Sequence, residues 1–459
     1  MSTDAPELIE DESTLDDRVA RAVEERDADA LQALLGPVPL SEELRLLLTL
    51  TTDKRSGFLE LLPRDWAAEL IGDAPNETAV DLLEHLEAET AAGILEEMDS
   101  DIQADLIGEM DTADAEAILA EFKDAEDAAD IRRLADYEDD TAGGLMMAEA
   151  FSFPAGDTVG AVLRRLSSED DDFERYRGQH PYVVDAEAKP IGVVSLRTLL
   201  TSKRSTPLVE VMAKPMTVSV DTTLDQLQDL FDEYPFLGMP VVEADGRLAG
   251  VVSRSAVDAA ALERAESESM KRQGIIGDEL RSMPLFLRSR RRLAWLSANI
   301  VLNILAASVI SAYEETLAAV IAIAVFLPMV SDMSGCSGNQ AVGVSMRELS
   351  LGLVRPGDTL RVWLKEVSVG VINGIALGIL IGIVAWVWKG NPYLGLVIGA
   401  ALSINTVIAV SIGGTVPLLL KRLGQDPAAA SGPLLTTITD MAGFFLVLSL
   451  ATVFLDKLV

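Results

Sequence analysis

Long apolar runs dominate the last third of this 459-residue chain, and they predict helices that cross a membrane. A transmembrane helix needs about 20 consecutive, mostly apolar residues. Five stretches fit: Leu293–Tyr313, Leu317–Val330 with the Gly/Ser-rich run after it, Val367–Trp388, Leu394–Leu420 and Pro433–Leu455. We therefore expect five α-helical spans within residues 287–459.

The second stretch has the weakest pattern, because Pro328 and the run SDMSGCSG at 331–338 interrupt it. Helices that break at membrane depth are tolerated where they line a cavity or pack against protein. We therefore expect the second span to be a broken helix.

Basic residues alternate between the ends of the spans. They are Arg288, Arg290, Arg291 and Arg292 before the first span, Arg347, Arg355, Arg361 and Lys365 between the second and third, and Lys421 and Arg422 between the fourth and fifth. Cytoplasmic loops carry an excess of Lys and Arg. The pattern predicts a multi-pass protein of the cell (plasma or inner) membrane, with its N-terminus in the cytoplasm and its C-terminus outside. The polar, acidic start MSTDAPELIEDESTLDD predicts no signal peptide.

Two features stand out within the spans. Gly370, Gly374, Gly378 and Gly382 occupy every fourth position of the third span. Small residues at this spacing let two helix backbones approach closely, so this face should pack against another helix.

Asp440 is the one charge of the fifth span. A carboxylate at the centre of a span costs about 2.5–3.5 kcal/mol on insertion scales, and such residues usually face a pathway or a partner. Thr436, Thr437 and Thr439 supply oxygen atoms nearby. An oxygen-rich, negative site suits a hard cation such as Mg²⁺. The alternative is a protonated Asp440 that forms a hydrogen bond between helices.

The soluble part contains two repeats. Residues 66–119 repeat every twelve positions: WAAELI, TAVDLL, TAAGIL, IQADLI and DAEAIL, with acidic connectors such as EEMDS. Twelve residues accommodate two helical turns and a bend, so short helices should stack into an all-α superhelical domain.

A second duplication covers about 146–262, where PYVVDAEAKPIGVVS (181–195) matches MPVVEADGRLAGVVS (239–253). Amphipathic helices at Thr158–Leu166 and Leu224–Phe231 precede the two segments, so we expect a pseudo-symmetric α/β pair. The charged stretch Ala259–Arg281 should be helical, and it either couples the soluble part to the membrane part or is a plain linker.

Net charge is concentrated in the first third, where 42 acidic residues face 10 basic ones among residues 1–150, giving −32 of the total −36. Such a field repels nucleic acid and attracts cations. The carboxylates either cluster to bind divalent metal or keep the protein soluble in high salt. The larger number of Arg than Lys fits salt adaptation.

Catalytic chemistry has little support in the sequence. One cysteine, Cys336, and two histidines argue against disulfides, thiolate clusters and zinc catalysis. The sequence shows no phosphate-binding loop, histidine dyad or nucleophile motif, so we predict that the protein is not an enzyme and does not couple ATP hydrolysis to transport.

The second duplication resembles a pair of cystathionine-β-synthase-type (CBS) domains, and the whole order resembles the MgtE family of magnesium transporters and channels. Three landmarks carry the resemblance: DDTAGGLM (139–146), FLPMVSDMSGCSGNQ (326–340) and DPAAASGPLLTTITDMAGF (426–444). The implied fold class is a multidomain membrane protein. Its predicted parts are a partly disordered acidic segment (1–40), an all-α repeat domain (41–140), CBS domains (141–204 and 205–262), a connecting helix (263–286) and a five-helix transmembrane domain (287–459).

The resemblance implies a homodimer in the lipid bilayer that imports Mg²⁺, with Asp440 at the pore cation site. It implies that cytoplasmic Mg²⁺ closes the pore by binding acidic residues of the soluble part. The sensor candidates are Asp258, Glu263, Glu266, Glu268, Asp99 and Asp111, and the further pore-lining candidates are Cys336, Asn339, Gln340, Thr436 and Thr437. The alternatives are a Co²⁺ or Mn²⁺ channel or exchanger of the same fold, and a non-conducting membrane-tethered metal sensor.

Two departures from the family pattern matter. Cys336 stands where the family's Gly-Gly-Asn-x-Gly-x-Gln motif has asparagine, so a softer group replaces a polar one at the pore entrance. Nucleotide-binding CBS domains usually place an acid three residues after the Ser or Thr of the Gly-x-x-Ser step. Those positions here are Thr198 and Ala256, which predicts poor binding of ATP.

Overall fold

The computed structural model describes residues 14–167, 176, 180–275, 279–281, 283–425 and 427–459. The chain divides into two compact units, Met1–Arg264 and Ala265–Val459. Each unit has its own hydrophobic core.

Ten short helices open the first unit. They are α1 (Leu15–Glu24), α2 (Ala28–Leu35), α3 (Leu40–Thr49), α4 (Thr52–Glu60), α5 (Arg64–Gly72), α6 (Asn76–Glu84), α7 (Ala88–Leu95), α8 (Ser100–Glu109), α9 (Thr112–Leu119) and α10 (Ala125–Ala135). Helices α5 to α9 begin at positions 64, 76, 88, 100 and 112, which confirms the twelve-residue period. Each is too short to bury a core alone, so Ala, Leu and Ile side chains of successive helices pack together.

The repeat domain begins earlier than residue 41. Helices α1 and α2 lie within the segment 1–40, and Val19, Leu31 and Leu35 join the same core as the later helices. Thr14 and Asp17 form a capping box that starts α1. The acidic composition hid this amphipathic pattern, and the rest of the expected disorder, at residues 1–13, lies outside the described residues.

The α/β part contains two related sheets. Its strands are β1 (Met146–Met147), β2 (Ser152–Pro154), β3 (Tyr182–Val184), β4 (Pro190–Val193), β5 (Val218–Ser219), β6 (Gly238–Val242) and β7 (Leu248–Ser253). Its helices are α11 (Val159–Leu166), α12 (Leu196–Thr201), α13 (Leu208–Val211) and α14 (Leu224–Glu233). Strands run in the orders β2-β3-β4 and β1-β7-β6-β5. In each half a parallel pair is followed by an antiparallel one, so the duplication seen in the sequence is a structural duplication.

The connecting helix α15 spans Arg254–Arg272, so it begins and ends earlier than the predicted 263–286. Gly274 adopts a left-handed backbone conformation, with φ of 78°, just beyond its end. Glycine reaches this conformation without the steric cost that other residues pay. Residues 276–278 and 282 of the predicted helix lie outside the described part of the chain.

The second unit contains the membrane helices. They are α16 (Leu285–Ala312), α17 (Glu314–Ala319), a 3₁₀ segment (Ile321–Val325), α18 (Leu327–Ser350), α19 (Thr359–Lys389), α20 (Pro392–Arg422), α21 (Pro427–Val453) and α22 (Leu455–Leu458). Within the described residues, five helical segments are long and apolar enough to cross a membrane: Leu285–Ala312, Ile321–Ser350, Pro356–Lys389, Pro392–Arg422 and Gly432–Val453. The predicted number of spans is confirmed.

The second span breaks at a different place from the one expected. The irregular part is the 3₁₀ segment before α18, whereas the run at 331–338 lies inside continuous α-helix. Pro328 occupies the first turn, where a missing N–H costs no hydrogen bond. Ser334 donates its hydroxyl to the carbonyl of Val330 (2.8 Å), which satisfies a buried polar group within the helix.

The glycine face of α19 packs against α20, as its spacing predicted. A Cβ atom on Gly374 would lie 2.6 Å from the carbonyl oxygen of Ser403, and one on Gly382 would lie 2.8 Å from that of Gly395. Only glycine allows backbones to approach this closely. This contact fixes α20, which in turn packs against α18 and α21.

Candidate metal centre

Asp440 lies near the middle of α21, where its side chain is half-buried. The hydroxyl of Ser331, on α18, donates a hydrogen bond to its carboxylate. A buried carboxylate is stabilised by such a donor, but the single hydroxyl leaves most of its lone pairs free to accept. The structure thus joins the predicted pore residue to the second span.

Asp332 is a second carboxylate at this place, and the sequence reading did not select it. It follows Ser331 directly in α18, its side chain is exposed, and its charge acts on Asp440. The apolar run of the second span ends at Val330, so the sequence pattern predicts a break at the acid two positions later. Because α18 is a continuous helix across 327–350, Asp332 lies inside the second span.

The exposed side of α18 within the second unit carries a polar face beside three exposed apolar residues, Met329, Met333 and Val344. Asp332, Cys336, Asn339 and Gln340 are exposed, and they recur at the three- and four-residue spacing of one helix face. Its other face is buried and carries Leu327, Val330, Ala341 and Val342 among others. A polar face at membrane depth must meet water, ions or other protein rather than lipid.

A polar cavity of about 280 Å³ is lined by Thr436 and Thr437 of α21, which lie four and three positions before Asp440 and so on the same face of the helix. Its polar lining consists of Gln273, Asn299, Asn303, Asn339, Thr436 and Thr437. Thr437 donates its hydroxyl to the carbonyl of Pro433 (2.8 Å), and Thr436 donates to that of Gly432 (3.1 Å). Since both hydroxyl hydrogens are used, the two oxygen atoms are left as acceptors, which suits a hydrated cation.

The four sensor candidates of the connecting region all lie on α15: Asp258, Glu263, Glu266 and Glu268. Asp258 and Glu263 belong to the first unit, whereas Glu266 and Glu268 belong to the second. In the first unit, the charge of Glu263 acts on Asp105 of α8, a residue that the sequence reading missed.

Asp105 is the centre of an acidic group in the first unit. Burial, followed by the charges of Asp101, Asp139, Glu109 and Glu263, raises its pKa to about 8. Like charges around a buried carboxyl favour its protonated form. A bound divalent cation would offset the same repulsion.

Asp99 and Asp111 are the N-caps of α8 and α9, one repeat apart. Asp111 joins Glu84 and Asp114, and one carboxylate oxygen from each of the three lies within 4.8 Å of the others. Asp99 is not part of that group. Glu84 sits in an earlier helix, so the twelve-residue spacing alone did not reveal the triad.

Comparison with known proteins assigns each part of the chain. Residues 327–450 match the family described as MgtE, divalent cation transporter. Residues 38–140 match the MgtE intracellular N domain, and residues 142–204 and 208–263 match the CBS domain. The magnesium transporter MgtE of Enterococcus faecalis is 32% identical over 320 residues, which cover 70% of this chain and 70% of that protein.

This chain belongs to the MgtE family. The MgtE of Thermus thermophilus is 34% identical over 328 residues, covering 70% of this chain and 71% of that protein. A solved structure, described as the crystal structure of the cytosolic domain of the Mg²⁺ channel MgtE in complex with ATP, is 31% identical in sequence. The match covers 53% of this chain and 98% of the solved one, with a TM-score of 0.46. The expected order of an MgtE chain, from N domain through CBS pair to five-helix membrane domain, is confirmed.

The acidic group of this MgtE chain predicts a pH-dependent stability. Below about pH 4 Asp105 is protonated in both the folded and the unfolded chain. As the pH rises towards 8, the unfolded chain ionises while the folded one keeps the proton, so the first unit loses stability. We expect Asp105→Asn to recover about 2–4 kcal/mol at neutral pH.

Hydrogen exchange of α8 in the full-length protein, corrected for intrinsic pH effects, measures this change. Asp53→Asn is the matched control, because Asp53 is exposed in α4. Equal protection of α8 in the wild type and Asp105→Asn between pH 5 and 8 would contradict the assignment.

Proposed function

We propose that this MgtE chain carries Mg²⁺ into the cytoplasm through a pathway between α18 and α21, with Asp440 as its cation-binding carboxylate. The observation that carries the proposal is the position of Asp440. It is half-buried at mid-span, hydrogen-bonded by Ser331 and next to a polar helix face. The names of the relatives, magnesium transporters, support Mg²⁺ as the transported ion.

The hydration of Mg²⁺ explains the choice of ligands. Mg²⁺ gives up water reluctantly and prefers six oxygen ligands in octahedral geometry. A carboxylate beside threonine and amide oxygens can hold the ion through its water shell. We infer that Asp440 binds a largely hydrated Mg²⁺, while Asn339, Thr436 and Thr437 accept hydrogen bonds from its water.

The working form is a homodimer. The support is the polar face of α18, which includes Cys336 and Gln340 and is exposed in the single chain. Two such faces brought together would enclose a water-filled path and place two Asp440 carboxylates around it. Rings of acidic side chains of this kind select cations in channels.

The basic residues that flank the spans support the proposed orientation. Arg288 and its basic neighbours precede α16, and Lys421 and Arg422 end α20, which supports a cytoplasmic N-terminus. The C-terminus, after a fifth crossing, then lies outside. The acidic first unit faces the compartment into which Mg²⁺ is delivered.

Cytoplasmic Mg²⁺ also regulates the pathway in this proposal. The group around Asp105 and the triad Glu84, Asp111 and Asp114 supply carboxylates that a divalent cation can bridge. Without the cation, like charges repel and loosen the unit; with it, the unit tightens and the pathway closes. Asp99 and the α15 acids Asp258, Glu266 and Glu268 remain further sensor candidates.

Cys336 favours one part of the alternative, a preference for Co²⁺ over Mg²⁺, because Mn²⁺ prefers oxygen ligands as Mg²⁺ does. It is exposed on the polar face of α18, where a sulfur ligand suits softer metals. Mg²⁺ influx into proteoliposomes, measured with Co²⁺ or Mn²⁺ added as a competitor, distinguishes a magnesium transporter from a transporter of these metals. Stronger transport of Co²⁺ or Mn²⁺ than of Mg²⁺ would reject the magnesium assignment.

Growth rescue tests conduction itself. A cell that lacks Mg²⁺ transport should grow at low Mg²⁺ when it expresses this chain, and the Asp440→Ala variant should not rescue it. A non-conducting sensor would rescue growth in neither form.

Nucleotide control is expected to be weak. Ser195 caps α12 and contacts Thr198, hydroxyl to hydroxyl, at 2.8 Å, and Ala256 in α15 has no polar side chain to offer a ribose. We expect millimolar ATP to leave Mg²⁺ flux and the melting temperature of the full-length protein unchanged. Ala256→Asp should create a measurable ATP effect; strong ATP stabilisation of the wild type would contradict the prediction.

A further inference from the structure

Asp332 is a charged side chain at membrane depth that the proposed pathway has not yet used. It follows Ser331, the donor to Asp440, about 100° further round α18, and its charge acts on Asp440. Its side chain is exposed on the polar face of α18. In the part of the chain that the structure describes, neither Asp332 nor Asp440 forms a salt bridge with a basic side chain.

Asn405 of α20 adds an independent observation at the same place. Its side chain is fully buried, and its amide nitrogen donates to the carbonyl of Thr439 (3.1 Å). A Cβ atom on Gly443 would lie 2.8 Å from that nitrogen and 3.7 Å from the Cα of Ser331. The amide is therefore enclosed by residues that flank Asp440 on α18 and α21.

The carbonyl oxygen of the Asn405 side chain has no hydrogen-bond partner among the described residues. A buried acceptor left without a donor is energetically unfavourable. Thr439, which accepts from the Asn405 amide, directly precedes Asp440, so a water held by a cation at Asp440 is a donor that would satisfy this oxygen. The amide thus points to a hydrated ligand behind Asp440.

Charge balance indicates what that ligand is. Two carboxylates in a low-dielectric site repel each other, and a single divalent cation offsets both charges. We propose that Asp332 and Asp440 form one two-carboxylate site for a divalent cation, with Asn405 holding a water of the ion's shell. The inference rests on the proposed transport function and deepens it, because it names a second ligand that sets affinity.

In this proposal the number of carboxylates sets the affinity and the selectivity of the pathway for divalent cations. Affinity of a site for hard divalent cations rises with the number of its carboxylates. A two-carboxylate site should accept Mg²⁺ at lower concentration than a one-carboxylate site. It should also exclude Na⁺ more strongly, since a monovalent ion offsets only half of the charge.

Mg²⁺ influx into proteoliposomes of the full-length protein tests the proposal. Asp332→Asn should raise the Mg²⁺ concentration for half-maximal influx about tenfold and make influx more sensitive to Na⁺. Asp332→Glu, which keeps the charge, should restore most of the affinity. Asp456→Asn, a matched change at an exposed position of α22, should match the wild type.

Each outcome is informative. Unchanged half-saturation in Asp332→Asn, together with loss of influx in Asp440→Asn, overturns the two-carboxylate site and leaves the proposed function standing. Retained influx in Asp440→Asn overturns the proposed function itself.

A chemical arm covers the case in which Asp332→Asn does not fold. Asp332→Cys is made in a Cys336→Ser background, so that one thiol remains in the chain. A negatively charged methanethiosulfonate reagent should restore Mg²⁺ affinity, and a positively charged one should block influx. No effect of either reagent would place Asp332 away from the pathway and overturn the proposal.

Discussion

Asp440→Asn is expected to lower Mg²⁺ influx into proteoliposomes by about 100-fold or more, which corresponds to about 2.8 kcal/mol of lost interaction with the ion. Asparagine has nearly the same shape and can still accept the hydrogen bond from Ser331. It removes the charge that attracts a divalent cation to the middle of the span. A loss of influx in this variant therefore reports the missing charge and not a change in side-chain packing.

Two controls sharpen the experiment. Asp440→Glu keeps the charge and should retain part of the influx, with altered selectivity because the longer side chain moves the carboxylate. Asp456→Asn should behave as the wild type. If Asp440→Asn conducts Mg²⁺ at the wild-type rate, the cation does not pass Asp440.

The largest loss of stability is expected from substitutions on the glycine face of α19. A Cβ atom on Gly378 would lie 2.5 Å from the carbonyl oxygen of Gly399, and one on Gly374 would lie 2.6 Å from that of Ser403. Backbone oxygens are among the nearest atoms at both positions, and the hydroxyl of Ser403 lies closer still to Gly378, so α19 and α20 must separate to admit a methyl group. We expect Gly374→Ala and Gly378→Ala to cost about 1–3 kcal/mol each.

Thermal unfolding of the purified full-length protein in detergent measures this cost. The double variant should melt several degrees below the wild type. Ser403 also donates its hydroxyl to the carbonyl of Gly374 (2.8 Å), so separation would break this bond as well.

The matched control is Gly343→Ala in α18, where a Cβ atom meets nothing within 4 Å. This variant should melt with the wild type or above it, because alanine favours the helix by about 1 kcal/mol over glycine. Equal melting temperatures for all variants would contradict the close packing of α19 on α20.

Much of the candidate site was predictable because its signals are local. The cost of a charge inside an apolar run identified Asp440, and hydroxyl residues within one turn identified Thr436 and Thr437. Asp332 was missed for an equally local reason. The polar run around it lowers hydropathy and therefore predicts a break, whereas α18 is continuous there.

The soluble acids show where local signals fail. Of the predicted sensor residues, Asp111 lies in a carboxylate triad and Glu263 lies near Asp105. Asp105, Glu84 and Asp114 were not selected, because an acidic composition gives each carboxylate the same local appearance. Only the packing of separate helices distinguishes the grouped carboxylates from the dispersed ones.

The sequence by itself determined the number of spans, the twelve-residue helical repeat, the duplicated α/β part and the helix face that packs closely. These follow from periodicity and from the cost of charge in lipid, which act along a single helix or strand. Tertiary structure decided that Ser331 meets Asp440, that Asp332 stands beside them and that Asn405 is enclosed behind them. Those contacts join residues 34–109 positions apart on different helices, and no interaction along one helix can bring such positions together.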